Sequence, residues 1–286
     1  MNSLSALPLD KAAPADYVNS MGKFNSIERG NKMSVIDVKI ENYICTVTFN
    51  HPPVNAANIE LYEEVPDVFH ELDNRDDIKI VVLTGAGKCF CAGNDRGDFE
   101  VFTEPKAARE HYDRMSNSFS AIENCKYPVI GAVNGPAMGA GFCYAAVCDL
   151  LVAWKDAIFS LPELSVGVIG AEQYAKLLVP DKVARYIAYT SSELHGSDIA
   201  KWGGIHRLVD TPEETLPAAY ELAAELARQP RRGLMTLKEA FVHNFPSGTG
   251  WTLRMDGERE LEYLKTPDFK ESNAAFREKR PAKYDE

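Results

Sequence analysis

Apolar residues along the first two thirds of the chain switch between a period of two and a helical period. Residues 44–50 alternate apolar and polar positions as a half-buried strand does, and the prolines at 52 and 53 end that pattern. Residues 59–72 and 106–124 carry the spacing of helices. Compact apolar runs predict further strands at 78–84, 127–133, 149–153 and 157–160, and the stretch 135–141 opens a predicted helix that ends near Val147.

Beyond about Ala171 the pattern becomes mainly helical. The predicted helices cover residues 182–190, 197–202, 213–228, 234–243, 251–264 and 268–278. Alternating strands and helices followed by a helical tail indicate an α/β fold with a C-terminal helical section. The expected division is a polar N-terminal arm over residues 1–35, a core over 36–230, and a helical section over 231–286 that serves oligomerisation.

Composition and charge narrow the classes of function. Hydrophobic residues make up 45% of the 286 residues and charged residues 26%, which is typical of a globular protein and argues against a disordered chain. The net charge of −11 argues against nucleic-acid binding, because phosphate recognition needs the opposite sign. A local basic patch remains compatible with an anionic cofactor. No apolar run approaches the roughly 18–20 residues that span a membrane, so no membrane association is expected.

The cysteines and histidines show no metal-binding pattern. The cysteines stand at positions 45, 89, 91, 125, 143 and 148 without CxxC spacing, and their mostly apolar neighbours predict buried, reduced thiols. The histidines are scattered and form no HExxH motif, so no metal site is expected. Because the N-terminus also lacks a signal-peptide pattern, the sequence predicts a cytoplasmic protein.

Two glycine-rich turns, at residues 84–95 and 133–142, each follow a predicted strand. Glycine lets the backbone approach a ligand closely, and a helix that begins at such a turn presents free N–H groups. Two turns together can direct two N–H donors at one oxygen atom, whereas either alone is typical of a tight loop. GxGxxG, the phosphate-loop motif and GxSxG are all absent, which argues against nucleotide binding and serine hydrolysis.

These motifs resemble the crotonase (enoyl-CoA hydratase/isomerase) superfamily, in the right order and spacing from about residue 36 to 281. The matching segments are 81–95, 128–142, Cys148-Asp149, Phe159-Ser-Leu-Pro-Glu163 with Gly167, Leu208-Val209 and Ala275-Phe-Arg-Glu-Lys-Arg280. The resemblance implies a spiral of ββα units with a C-terminal helical section. It also implies homotrimers or dimers of trimers, and acyl-CoA thioester substrates. No permanently bound cofactor is implied, since coenzyme A is part of the substrate.

The resemblance also implies an oxyanion hole. Its donors would be the backbone N–H groups of Asn94 and of Ala140, which stands where the family usually has glycine. Gly139 and Gly141 flank Ala140 and would line the pocket. Coenzyme A would be bound by Lys88, Ala92, Asp95, Arg96 and Lys279, although solvated side chains are an alternative for Arg96 and Lys279.

Family hydratases use two glutamates. One of them is present here as Glu163, and the resemblance implies that it is the acid/base of the reaction. Cys143 occupies the position of the other, either as a packing residue or in contact with substrate. Glu172 is either a second carboxylate near the pocket or a helix-start residue that complements the dipole. Asp149 is interpreted as structural.

A single glutamate is compatible with several reactions. The first hypothesis is an enoyl-CoA hydratase/isomerase-type enzyme that acts through an enolate. The alternatives are a hydratase/lyase of the hydroxycinnamoyl-CoA type, and a ring-opening C–C hydrolase of a cyclic β-diketone or β-ketothioester. The remaining alternative is a non-catalytic family member. A protein that kept only the fold would not need the combination of both glycine-rich turns with Glu163.

Overall fold

The computed structural model describes residues 25–26, 34–95, 97–98, 105–166, 171–243, 265–278 and 280–284. Within these residues the chain forms one large sheet, one small sheet and a series of helices. The arm predicted over residues 1–35 and the helix predicted over 251–264 lie mostly or wholly outside the described residues. Asn25–Ser26 form a short strand against the core.

The large sheet has seven strands, and their order across the sheet follows the chain. They are β1 (Asn25–Ser26), β2 (Ile36–Glu41), β3 (Ile44–Phe49), β4 (Ile80–Gly85), β5 (Val129–Val133), β7 (Leu150–Trp154) and β10 (Arg207–Val209). The first three strands pair antiparallel, and β3 to β10 pair parallel. A small sheet joins β6 (Ala137–Met138), β8 (Ile158–Ser160) and β9 (Glu193–His195) in the order β6-β8-β9.

Helices cover both faces of the large sheet. They are α1 (Ile59–Asp73), α2 (Pro105–Glu123), α3 (Ala140–Ala146), α4 (Glu172–Leu178), α5 (Asp181–Thr190), α6 (Gly196–Lys201), α7 (Thr215–Ala227), α8 (Arg231–His243) and α9 (Pro267–Glu278). Short 3₁₀ helices lie at Glu163–Val166 and Pro212–Glu214. None of these described helices combines the length and apolarity needed to cross a membrane.

Strand β4 shows why the central strands are continuous apolar runs. Val81 and Leu83 belong to the main core, while Ile80 and Val82 pack in a second cluster with Ala219 and other apolar residues of α7. A strand covered on both faces needs apolar side chains at every position, which is the pattern that predicted it.

Strands of the two sheets alternate along the chain with helices. Strands β5 and β6 lead into α3, and β7 and β8 lead into the 3₁₀ helix and α4. The prediction of an α/β fold with a helical C-terminal section is confirmed. The strands β9 and β10 interrupt the region that was predicted to be mainly helical, because a strand of three residues is too short to show a period.

An ion pair between a buried lysine and a partly exposed aspartate joins the C-terminal helix α8 to the core. The Nζ of Lys238 lies 2.6 Å from Oδ2 of Asp149, and the lysine side chain is only 3% exposed. The same carboxylate oxygen accepts a hydrogen bond from the Val129 N–H at 2.7 Å. These contacts support the structural interpretation of Asp149, because the carboxylate holds the start of β5 and the helix together.

Candidate active site

The two glycine-rich turns are in contact through their backbones. The Met138 N–H donates to the Cys91 carbonyl at 3.0 Å, and a Cβ on Gly141 would lie 2.0 Å from that same carbonyl oxygen. Gly93 has a φ of +96°, and a Cβ there would lie 2.9 Å from the Met138 oxygen. Only glycine fits such an approach, so these glycines bring residues 93–94 next to the start of α3.

The main chain around Asn94 is held on one side by Ala57. Ala57 forms a parallel bridge with Asn94, in which the Ala57 N–H donates to the Gly93 carbonyl at 2.7 Å and the Asp95 N–H donates to the Ala57 carbonyl at 2.9 Å. The bonds of a parallel bridge flank its central residue, so the N–H of Asn94 points away from Ala57.

Ala140 carries the second of the two predicted donors. It is the first residue of α3, where N–H groups have no partner within the helix. Gly139 precedes it with φ 52° and ψ −115°, and the Gly139 N–H is bound to the Ser160 carbonyl at 2.9 Å. The Ala140 nitrogen lies 3.8 Å from the position of a Cβ on Gly93. The geometry therefore brings the two predicted oxyanion donors to one place.

Glu163 lies beside these donors, at the first position of the 3₁₀ helix after β8. A Cβ on Gly139 would lie 2.9 Å from its Oε1 atom. Its Oε2 atom is buried and has no hydrogen-bond partner among the described residues. Burial, with a smaller contribution from the charge of Glu172, raises the pKa of this carboxyl from 4.5 to about 7. A carboxyl with this pKa can both accept and donate a proton near neutral pH.

The thiol of Cys143 lies one turn into α3 and is 1% exposed. Burial raises its pKa well above the ordinary value, and the nearby Glu163 carboxylate adds to that shift. The thiol is therefore protonated at neutral pH. Glu172 is exposed at the first position of α4, and its charge also acts on Glu163. Glu172 thus begins a helix and lies near the site, so both interpretations of it stay open.

The residues predicted to bind coenzyme A are only partly described. Lys88 is exposed and Ala92 is half-buried, both in the first glycine-rich turn. The Asp95 carboxylate accepts a hydrogen bond from the Gly97 N–H at 2.8 Å, which shapes the loop after Asn94. Arg96 and Lys279 lie outside the described residues.

Two polar residues near Asn94, Tyr62 and His111, were not predicted from the sequence. The Tyr62 hydroxyl donates a hydrogen bond to Oδ1 of Asn94, and the His111 ring packs edge-on against Tyr62 with 5.4 Å between centroids. Burial lowers the pKa of His111. Both side chains are buried, Tyr62 on α1 and His111 on α2. A tyrosine at such a position, close to a glycine-rich turn only in space, gives no sequence signal.

The cysteines at 45, 89, 91, 125, 143 and 148 are all buried free thiols, which confirms the prediction that they are buried. Among the described residues, no three or more histidine, cysteine or acidic side chains are placed to hold a metal ion.

Fold and site together describe an α/β protein in which two glycine-rich turns and a half-buried carboxyl meet. A model of the enoyl-CoA hydratase/isomerase family matches residues 39–286, and the chain belongs to this family, within the crotonase superfamily. The crotonase-like fold is thereby confirmed.

Three comparisons show its relatives. The chain is 31% identical over 198 residues to a (7aS)-7a-methyl-1,5-dioxo-2,3,5,6,7,7a-hexahydro-1H-indene-carboxyl-CoA hydrolase of Rhodococcus jostii, covering 69% of this chain and 76% of that protein. It is 30% identical to a 1,2-epoxyphenylacetyl-CoA isomerase of Escherichia coli, covering 88% and 98%. The solved structure of DspI from Pseudomonas aeruginosa matches with a TM-score of 0.84 and 28% identity, covering 89% of this chain and 98% of that one.

Proposed function

We propose that the protein is an enzyme of the enoyl-CoA hydratase/isomerase type that forms an enolate from an acyl-CoA thioester. The observation that carries this proposal is the buried Glu163 carboxyl, whose Oε1 lies against Gly139 and whose pKa is raised by burial to about 7. A structural carboxylate is normally hydrogen-bonded, whereas Oε2 of Glu163 has no partner among the described residues. Substrate would supply that partner.

In the proposed mechanism, the thioester oxygen accepts hydrogen bonds from the N–H groups of Asn94 and Ala140. The Glu163 carboxylate removes a proton from the α-carbon, and the electron pair of the C–H bond moves toward the carbonyl oxygen to give the enolate. Each N–H donor would stabilise the developing charge by roughly 3–4 kcal/mol. Protonated Glu163 then returns its proton to a different carbon, which completes an isomerisation without any added reactant.

The same groups support hydration. Water adds to the β-carbon of an enoyl thioester while the Glu163 carboxylate takes a proton from that water. The protonated Glu163 then returns a proton to the α-carbon of the enolate. Because Cys143 is a neutral thiol where family hydratases have a second glutamate, simple hydration of crotonyl-CoA is expected to be slow.

A hydrolase is the second candidate. It is favoured by the similarity to the R. jostii hydrolase of a dioxo-hexahydroindene-carboxyl-CoA. In this reaction Glu163 would activate water to attack a ring carbonyl. The C–C bond next to that carbonyl would then break, with its electron pair going to the carbon that becomes the enolate α-carbon. Both candidates use the same oxyanion hole.

Incubation with a panel of saturated, enoyl-, β-hydroxy- and β-keto-CoA thioesters, followed by mass spectrometry, tests the proposal. A gain of the mass of water indicates hydration or hydrolysis, a loss indicates dehydration or cleavage, and a new retention time at unchanged mass indicates isomerisation. No conversion of any thioester, together with no binding of coenzyme A at millimolar concentration, would contradict the proposal.

Coenzyme A is expected to bind with its adenine end near the loop that carries Lys88. Calorimetry should show affinity that weakens as salt is added, because an exposed lysine attracts phosphate through a screened interaction. The Lys88→Gln variant should bind more weakly and with a shallower salt dependence, and equal slopes for the two proteins would remove Lys88 from the site.

The pH dependence of kcat/KM should follow the ionisation of the Glu163 carboxyl. Because its carboxylate form is the base, activity is expected to fall as the pH drops through about 7, where burial has placed the pKa of the carboxyl. An acidic limb near the ordinary 4.5 would show that the carboxyl is not buried in solution.

Cys143→Ala is expected to change turnover less than about threefold, because a protonated thiol takes no part in proton transfer. Steady-state rates with the best substrate of the panel check this. A loss comparable to that of a Glu163 variant would assign Cys143 a direct role.

The protein is also proposed to form a homotrimer or a dimer of trimers. Its exposed apolar side chains support an interface: Tyr186 and Tyr189 on α5 are 58% and 68% exposed, and Leu237 and Phe241 on α8 are 60% and 70% exposed. Light scattering should therefore give a mass of three or six chains of 31.7 kDa, and a stable monomer would contradict this proposal.

A further inference from the structure

The segment that runs from Ala57 into helix α1 contacts the loop that carries Asn94 at three points. Ala57, two residues before the helix, forms the main-chain bridge with Asn94. The Ile59 N–H, at the first position of the helix, donates to Oδ2 of Asp98 at 3.0 Å. One turn further on, the Tyr62 hydroxyl donates to Oδ1 of Asn94. One segment therefore holds both the backbone and the side chain of Asn94.

Tyr62 is itself held firmly. It is 1% exposed, and its ring packs edge-on against His111 and Phe119, with centroids 5.4 and 6.2 Å away. The Tyr144 ring stacks against it at 6.4 Å, and the Tyr144 hydroxyl is bound to that of Ser118 at 2.7 Å. Burial raises the pKa of Tyr62, so its hydroxyl keeps its proton and remains a donor. The Asn94 side-chain oxygen can only accept, which fixes the direction of this bond.

We propose that Tyr62 is a positioning residue that orients the Asn94 peptide in the oxyanion hole, an inference that rests on the proposed function. The side chain and the N–H of Asn94 are attached within the same residue. Tyr62 holds the side chain of Asn94 at Oδ1, and Ala57 holds the peptides on either side of Asn94. The Asn94 N–H therefore has little freedom to turn away from the thioester oxygen. A donor displaced by about 1 Å can cost on the order of 100-fold in rate.

The test uses [1-¹³C]acetyl-CoA and the infrared stretch of its thioester carbonyl. Binding to the wild-type protein should lower the stretching frequency, because the N–H donors polarise the carbonyl. In Tyr62→Phe, which keeps the aromatic ring, we expect less than half of that shift, with the affinity for acetyl-CoA changed less than about threefold. Turnover of the best substrate of the panel should fall about 10- to 100-fold, in kcat rather than KM.

Tyr144→Phe is the matched control. It removes a hydroxyl from the same aromatic cluster, but that hydroxyl is bound to Ser118 and not to Asn94. The control should keep the full carbonyl shift. Asn94→Leu removes the hydrogen bond from its other end, and should lose the shift as Tyr62→Phe does. The Tyr62→Phe/Asn94→Leu double variant should be no worse than either single variant.

The outcomes separate the two claims. A normal shift in wild type and an undiminished shift in Tyr62→Phe or Asn94→Leu would overturn the positioning role alone. Equal losses in Tyr62→Phe and Tyr144→Phe would also overturn it, since general packing would then explain both. No shift in the wild-type protein would overturn the oxyanion hole, and with it the proposed function.

Discussion

Glu163→Gln is expected to lower turnover about 10²- to 10⁴-fold while leaving the fold and the affinity for coenzyme A intact, because the amide cannot take up or return the substrate proton. Steady-state rates on the best thioester of the panel measure the loss. Glu172→Gln is the matched control: it removes an exposed carboxylate whose charge also acts on the site.

The same variant should be more stable than the wild-type protein at alkaline pH. The folded-state pKa of Glu163 is raised from 4.5 to about 7, so the folded protein binds the proton more tightly, and stability is lost as pH rises through that range. Above pH 8 the buried carboxylate costs up to about 3 kcal/mol, a cost that glutamine does not carry. Denaturant midpoints at pH 5 and pH 8 should show the gain mainly at pH 8.

Full activity in Glu163→Gln would place the chemistry on another residue. Unchanged activity in Glu163→Gln together with a large loss in Glu172→Gln would assign the proton transfer to Glu172. If Glu163→Gln became more stable without losing activity, Glu163 would be a buried carboxyl that takes no part in catalysis.

The largest expected effect on stability comes from Asp149. Asp149→Ala should lower the free energy of unfolding by about 3–5 kcal/mol, because it leaves the Lys238 ammonium buried without its counter-charge and the Val129 N–H without its acceptor. Chemical denaturation monitored by circular dichroism gives the value.

Two further variants separate the contribution of the lost hydrogen-bond acceptor from that of the lost counter-charge. Asp149→Asn keeps an acceptor for Val129 and should lose less than the alanine variant. Asp149→Asn/Lys238→Met removes both charges and should recover much of the stability, since an apolar side chain suits the 3% exposed site of the lysine. A double variant that is less stable than Asp149→Ala would contradict this account of the ion pair.

The glycine-rich turns could be predicted from the sequence because their backbone geometry requires glycine at particular positions. Gly93 and Gly141 allow backbone contacts that any side chain would block. Glu163 could be identified only because the segment Phe159-Ser-Leu-Pro-Glu163 resembles a family motif. The main strands and helices could also be predicted from the sequence, because elements such as β4 and α1 are long enough to show a hydrophobic pattern.

Pairs that meet only in the folded chain could not be predicted. Tyr62 and Asn94 are 32 residues apart, and Asp149 and Lys238 are 89 apart, so no local period relates them. Tyr62 and Lys238 also lie on helix faces that the periodicity marks only as buried. The raised pKa of Glu163 likewise depends on how deeply residues distant in sequence enclose it.

Deuterium incorporation at the α-carbon tests the central claim most directly. The tightest-binding saturated acyl-CoA of the panel is incubated in D₂O with wild type, with Glu163→Gln, and without protein, and the mass of the thioester is followed over time. The account predicts that wild type incorporates deuterium and that Glu163→Gln does so at least about 100-fold more slowly. Exchange at the same rate in both proteins, or no exchange above the protein-free control in wild type, would contradict it.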